Sequence, residues 1–241
     1  LMGYVLLAKP EIRVLQVFST LNIGGAETWL MSILKYCYEN ADDLPVRVRF
    51  DVCLTSGQPG VLDKQAKDFG AELHYIKYSR KTLGSFITKI RKLLVKGNYH
   101  AIHDHQDYTA GWHFLFGLGY LPPLRIAHVH NPMIHINTYT SRFSRKVTVS
   151  AGKILLRHLA THIAGTSRQI VSEYGFEGSV VNKVKLSALH CGFDVENFRL
   201  DYGKSRRAIR CEFGWEEDVK IILFVGRLDS ATNGSINQKN P

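Results

Sequence analysis

Apolar positions along the chain switch repeatedly between two periods. Ile12, Val14, Leu15, Val17 and Phe18 form a short run with β-branched content that reads as a buried strand. The pattern breaks over residues 19–27. From there Trp29, Leu30, Ile33, Leu34 and Cys37 recur at helical spacing. Val46, Val48, Phe50, Val52 and Leu54 alternate as a strand that ends in Ser56-Gly57-Gln58-Pro59-Gly60. Residues 61–69 read as a short helix stopped by Gly70, and Leu73, Tyr75 and Ile76 as another strand. Leu83, Phe86, Ile87, Ile90, Leu93 and Leu94 give an amphipathic helix ended by Gly97, with Lys89, Arg91, Lys92 and Lys96 on its polar face. A stripe of this width docks on a sheet. Further strands are expected over 101–105, 126–130 and 162–165. Helices are expected over 112–118, over 144–159, and from a Ser167 cap through Glu173. Val184, Leu186 and Leu189 close this unit.

Strands alternating with helices predict an α/β fold: a doubly wound parallel sheet, Rossmann-like, with ligands at the carboxyl ends of its strands. Residues 1–198 are expected to form one such domain. Residues 199–219 are charged and lack a long apolar run, so they read as a linker with a helix near Arg206–Phe213. Ile221–Val225 is strongly apolar and reads as the first strand of a second domain, at 220–241, whose remainder lies beyond Pro241. One apolar strand with nothing behind it does not pack alone. No internal repeat is present.

Composition narrows the class. A chain of 241 residues that is 45% hydrophobic and 22% charged is an ordinary globular protein able to bury a sizeable core. Cys37, Cys53, Cys191 and Cys211 make no CxxC and no metal-ligand spacing, which points to buried free thiols in a reducing compartment. Residues 1–7 are apolar, too few for a membrane span, and lack a basic n-region and a cleavage site. The formal net charge of +10 favours anionic partners: a nucleotide, a nucleic acid or a lipid surface. A solvated basic surface with no partner gives the same number. No nucleic-acid motif is present and the positive charge is scattered, so no nucleic-acid partner is expected.

Two places could carry chemistry. The first is the strand–Gly24-Gly25–helix step, where amides at a helix start point at an anion and glycine lets it approach the backbone. A plain strand-to-helix turn has the same sequence. The second is a pair of H-x-H motifs, His103 with His105 and His128 with His130, at the ends of two expected strands. Residues i and i+2 share a strand face, so neighbouring strands could gather four imidazoles at one edge. Three readings stay open. They could form a metal centre, with Asp104 and Asp107 adding carboxylates, as in a metallohydrolase. One or two could touch a substrate's hydroxyls or phosphates. His103 and His128, pointing inward, could be core histidines bonded to backbone.

The chain resembles the nucleotide-sugar glycosyltransferases of family 4, which have two Rossmann-like domains in the architecture called GT-B. The matching pieces run in the family's order: Gly24-Gly25-Ala26-Glu27 after the first strand; Ala101-Ile102-His103-Asp104-His105; Arg125 through Asn131; Ile163-Ala164-Gly165-Thr166-Ser167; Gly192-Phe193-Asp194 through Phe198; Phe224 through Asp229; and Gln238-Lys239-Asn240-Pro241. The nearest look-alikes are bacterial capsular and exopolysaccharide transferases. The resemblance implies a retaining transfer from a nucleotide-diphosphate sugar to a glycan or lipid-linked acceptor, with no metal and no other cofactor. It implies that His130 sits beside the transferred sugar, near the reacting centre. Gly24 and Gly25, with Arg227 and Lys239, would hold the donor diphosphate, and His105 and Asn131 would face the acceptor. Cations at the leaving group stabilise the charge that accumulates there.

The chain departs from the family at Cys191-Gly192, where Asn-Gly is usual, and in the long separation of Arg227 from Lys239. The family's acidic donor-binding motif would lie past Pro241, so the chain reads as the acceptor-side domain of a longer protein, inactive alone. A cytoplasmic location is expected. Contact with an anionic membrane is a further expectation, carried by Arg142, Arg145, Lys146, Lys153 and Arg157 close to Phe143, Val147, Ile154 and Leu155. The rival classes are the metallohydrolase and a non-enzymatic anion- or nucleotide-binding module.

Overall fold

The computed structural model describes residues 9–139, 143–176, 184–192, 195 and 202–224. The apolar run at 12–18 becomes β1 (Glu11–Phe18), whose last four residues are all buried. The period then changes into α1 (Gly25–Glu39). The elements that follow are β2 (Arg47–Leu54), α2 (Asp63–Asp68), β3 (Glu72–Tyr75), α3 (Leu83–Gly97), β4 (Ala101–Asp104), α4 (Thr109–Phe116), β5 (Leu124–Val129), α5 (Met133–Tyr139), α6 (Phe143–Leu159), β6 (His162–Gly165), α7 (Arg168–Glu173) and β7 (Lys185–Ala188). A helix α8 (Tyr202–Phe213) comes last. The chain divides into two compact units after Gly192.

The seven strands form one sheet in the order β3-β2-β1-β4-β5-β6-β7, every pair parallel. The connections leaving β1 run one way and those leaving β4 the other. The switch point therefore lies between β1 and β4, where doubly wound sheets open their crevice. This is the expected α/β, Rossmann-like fold.

Alternation along the strands assigns the two faces. Leu15, Val17, Cys53, Ile102, Ala127 and Val129 join one core with Phe86 and Ile90 of α3, Phe114 of α4 and Leu156 of α6. Phe18, Val52 and Leu54 face the other way, into a second core with Leu30, Met31 and Leu34 of α1 and Ala66 of α2. The helices α4 and α6 meet through glycines. A Cβ on Gly111 would come 2.3 Å from the Gly152 carbonyl oxygen, and a Cβ on Gly152 2.5 Å from that of Tyr108, so no larger residue fits this crossing.

Several expectations change in detail. Asn98, at φ 44°, takes the left-handed position after α3, while Gly97 stays inside the helix because a Cβ there would strike the Tyr99 ring. The helix expected at 112–118 starts and ends earlier, and α5 has no counterpart in the sequence reading. Ser167 does cap α7, accepting from Ile170 N at 3.2 Å. In the second unit, α8 extends the expected helix by a turn at its start. The strand expected from Ile221 is not formed over the described residues 221–224, where Ile222, Leu223 and Phe224 are exposed. A strand needs a neighbour to take its N–H and C=O groups, and none pairs with it among the described residues. Arg227 and Lys239 lie outside the described residues.

Candidate functional site

Because Ile102 and Ala127 point into the first core, His103 and His128 must face the other way, with His105 and His130 two residues further on. In the ladder Gln16 stands opposite His103 and Ile126 completes the row. All four imidazoles therefore gather at the carboxyl edge on the α1 side of the switch point. Phe18 stacks on His105 with centroids 4.1 Å apart. Trp29 of α1 sets its edge over His103, His105 and His128 at 5.4–6.1 Å.

The hydrogen bonds define which nitrogens carry protons. His128 donates through Nε2 to the Leu189 carbonyl oxygen at 3.1 Å, because that oxygen can only accept. Its Nδ1 then accepts from His103 Nε2 at 3.3 Å. His105 donates through Nε2 to Gln16 Oε1 at 2.8 Å, and its Nδ1 accepts from His130 Nε2 at 3.0 Å. Burial holds His103 and His105 well below the ordinary imidazole value, with repulsion from the neighbouring rings adding to it. Burial pushes His128 down to about 4, against the Leu189 bond, which pulls up. It pushes His130 down to about 3, with His128 adding to the effect. The cluster is therefore neutral at pH 7, and the free lone pair on the outermost ring is at His130 Nδ1.

His103, His105 and His128 each bring a ring nitrogen within 4.8 Å of the others, close enough to hold a metal. The lone pairs of His128 and His105 that face the cluster already accept hydrogen bonds, so a cation there would have to break both pairings. Of the two expected core histidines, His128 is bonded to backbone, as anticipated, whereas His103 is bonded to His128 instead. Asp104 does not join the imidazoles. It points to the opposite face, where its Oδ2 lies 2.7 Å from His113 Nδ1.

Asp107 stands apart from its chain neighbours. It lies between β4 and α4, is 6% exposed, and holds a left-handed backbone at φ 50°. Its Oδ1 accepts from His130 N at 2.8 Å and Asn131 N at 3.2 Å, and its Oδ2 from Asn131 Nδ2 at 2.7 Å. Tyr174, fully buried, donates to the Asn131 carbonyl oxygen at 3.2 Å. His105, His130 and Asn131, three of the expected site residues, thus meet at one corner.

Gly24 and Gly25 open α1 at the same edge. Gly24 is the N-cap with no side-chain bond, and the first intrahelical bond runs from Thr28 N to Gly24 O at 2.9 Å. A Cβ on Gly25 would meet nothing within 4 Å, so the space beside it is open. A Cβ on Gly24 would come 2.3 Å from Glu27 Oε2. The Glu27 carboxylate thus folds back towards the helix start, where a negative charge is favoured. The Cys191-Gly192 step also reaches the site, since a Cβ on Gly192 would lie 4.0 Å from Trp29 Nε1.

A sheet of this order, with a neutral polar cluster and an open helix start at its switch point, is the class of Rossmann-like α/β protein that binds a ligand across its carboxyl edge. Solved structures with the same fold include a glycosyltransferase from Rickettsia africae ESF-5, at TM-score 0.58 and 15% identity over 91% of this chain and 54% of that one. Sucrose-phosphate synthase from Thermosynechococcus elongatus matches at TM-score 0.58 and 17% identity, over 92% and 56%. Both agree with a GT-B reading of the fold.

In sequence the chain is 27% identical over 202 residues to the capsular polysaccharide biosynthesis glycosyltransferase CapH of Staphylococcus aureus, covering 82% of this chain and 52% of that one. It is 30% identical over 229 residues to EpsF of Bacillus subtilis (strain 168), which carries a glycosyltransferase name, covering 93% and 56%. The chain spans about half the length of these curated relatives. No family model matches it.

Proposed function

We propose that the chain is the acceptor-side half of a family 4 glycosyltransferase of the capsular or exopolysaccharide kind. It moves a sugar, with retention, from a nucleotide-diphosphate donor to a glycan or lipid-linked acceptor, without a metal. The observation that carries this reading is the meeting of the Gly24-Gly25 helix start with the His105–His130–Asn131 corner at one carboxyl edge. The likeness to CapH and EpsF over most of the chain supports it.

The roles follow the chemistry of each group. The helix start at Gly24 and Gly25 faces the donor diphosphate through backbone amides, and the bound diphosphate replaces Glu27 there. His130, uncharged, offers its Nδ1 lone pair to a sugar hydroxyl beside the reacting centre. Asn131 bonds the acceptor through its side-chain oxygen, and His105, assigned to the same side, acts through His130 because both its ring nitrogens are taken by Gln16 and His130. As the bond to the diphosphate breaks, negative charge accumulates on the leaving group, and Arg227 and Lys239 are the cations assigned to it.

Peripheral membrane contact through α6 fits a lipid-linked acceptor. Phe143, Val147 and Ile154 are exposed along one side of α6, while Val149, Gly152 and Leu156 are buried. Arg145 and Lys146 stand on the exposed stretch. Lys153 and Arg157 are turned instead to the rings of Tyr174 and Phe176, at 5.8 and 5.6 Å, and Arg142 lies outside the described residues. Among the described residues no helix is long and apolar enough to cross a membrane.

The experiment is turnover by a chain extended to the length of CapH, given UDP- and GDP-sugars and a lipid-linked glycan acceptor. Transfer with the anomeric configuration kept, reduced about 10²-fold by His130→Ala, is expected. A folded protein that turns over no donor overturns the reading.

A further inference from the structure

We infer that Asp107 is a positioning residue: from outside the strand that carries them it fixes the place of His130, and through the pairing with His105 its tautomer, together with the side chain of Asn131. The inference rests on the reading of His130 and Asn131 given above. Asp107 touches no reacting atom in that reading and acts through its two partners.

Three independent features converge on this residue. Its carboxylate takes three N–H donors, and all three belong to the two-residue step His130–Asn131. That step lies just beyond the end of β5, where ladder bonding stops and the backbone would otherwise answer only to solvent. The carboxylate is buried, and among the described residues no cation pairs with it. A buried carboxylate without a cation is held by neutral donors alone, these three N–H groups with the Tyr174 hydroxyl close by, so its cost is met only while the bonds stand. Finally, its backbone is left-handed, a conformation uncommon outside glycine that aspartate adopts where its short carboxylate is held by nearby donors.

The consequence reaches the imidazole. With His130 N held at 2.8 Å and the Asn131 peptide held from its other side by Tyr174, the His130 ring is kept where its Nε2 meets His105 Nδ1. That nitrogen can only accept, because His105 donates through Nε2 to Gln16, so the His130 Nδ1 lone pair is directed outward in a single tautomer. An imidazole free to flip would divide between two tautomers and offer the substrate a donor as often as an acceptor. Asn131 is fixed in the same way, with its amide nitrogen spent on Asp107 and its side-chain oxygen left for a ligand.

The test uses ¹⁵N-histidine NMR on the chain, with Asp107→Gly and the conservative Asp107→Asn. Asp107→Gly keeps the left-handed backbone and removes all three acceptor contacts. The asparagine introduced by Asp107→Asn keeps one oxygen for the two backbone N–H groups, and Asn131 can turn its side-chain oxygen to the new NH2 group. In the parent chain His130 should show one tautomer, protonated at Nε2. D107G should show exchange between tautomers, with the His128 signals unchanged, and D107N should keep the single form. A single His130 tautomer in folded D107G overturns the inference, and so does exchange in folded D107N.

In the extended enzyme, D107G should lower kcat about 10²-fold with donor KM changed less than about twofold, as displacement of a positioned group does. The NMR result needs no turnover. Tautomer control that behaves as stated in a chain without transferase activity therefore removes the functional reading and leaves the positioning role standing.

Discussion

The four imidazoles make the stability of this fold strongly dependent on pH in a range where most proteins are indifferent. In the folded chain burial keeps all four neutral, His128 down to about 4 and His130 down to about 3, with His103 and His105 well below the ordinary value. In the unfolded chain each titrates near 6.5. The unfolded state therefore binds more protons as pH falls through 6.5, and stability is lost on acidification. It is fully present above 6.5 and declines until the folded values are reached. Between pH 7.5 and 5.5 an unfolded histidine goes from about one-tenth to about nine-tenths protonated, which favours unfolding by ~1.4 kcal/mol. Four such groups give about 5 kcal/mol, comparable with the whole stability of an ordinary domain.

Two carboxylates bear on the estimate. Asp107, raised by burial against the bonds it accepts, works the other way and trims the loss. Asp51 is held low: burial raises it, but bonds from His74 and Tyr99 and the nearby Arg13 outweigh that. Its contribution is therefore lost as pH falls from the ordinary carboxylate value, about 4, towards its lower folded one, outside this window. The assay is urea unfolding followed by tryptophan fluorescence at half-unit pH steps, which gives proton uptake from the slope. Three to four protons taken up at pH 5.5 are expected. His128→Asn, which loses the bond to Leu189, should be less stable at pH 7.5 by about 1–3 kcal/mol yet show a slope shallower by about one proton. Uptake of fewer than two protons, or an unchanged slope in that variant, refutes the neutral cluster.

Gly25→Val should lower donor affinity in the extended enzyme at least about tenfold while the melting temperature moves by no more than a few degrees, because a side chain there enters open space. Unchanged affinity beside an unchanged melt shows the loop to be a turn only. Dialysis against a chelator should leave the thermal melt unaltered, since the lone pairs that two of the rings turn into the cluster are already bonded; stoichiometric zinc lost on His103→Ala contradicts this. Phosphatidylglycerol vesicles should sediment the chain at low salt, and the Arg145→Glu/Lys146→Glu variant should be released, with each cation worth about 1 kcal/mol at an anionic surface. A folded chain that stays in solution at low salt ends the membrane proposal.

Much of the fold is legible in the sequence because parallel strands buried on both faces must read as short apolar runs, and the helices between them must show a stripe. β1, β2, α3 and β6 are found where the pattern places them. The H-x-H spacing also tells which histidines share a face. It does not tell that the rings bond to one another, since that depends on the β4–β5 register. Gln16 escapes a reading by apolar pattern, although a single amide inside the run Val14–Phe18 is itself the signal: a polar group in a buried strand must have a partner, and here it is His105. Trp29 reads as helix core and proves to cover three imidazoles. The expected strand at 221–225 fails because apolar content signals burial, whereas strand formation also needs a partner that residues 221–224 do not have among the described residues.

The neutrality of the cluster constrains how a transferase built on it divides its labour. Imidazoles held near 3 and 4 cannot supply positive charge to a departing diphosphate at neutral pH. Protonating either acceptor ring, His105 or His128, would also cost its pairing, because the nitrogen that would take the proton already accepts one from its neighbour. What this edge can give a sugar is direction: a lone pair at His130 and an amide oxygen at Asn131, both fixed by Asp107 from the opposite loop. Charge compensation for the leaving group then has to come from backbone amides at the α1 start and from cations elsewhere in the protein, the part assigned to Arg227 and Lys239. On this reading a substitution at the histidine corner disturbs orientation and the acceptor, while one at the glycine loop or the basic pair disturbs the donor. The two groups of variants should therefore separate in KM for the two substrates.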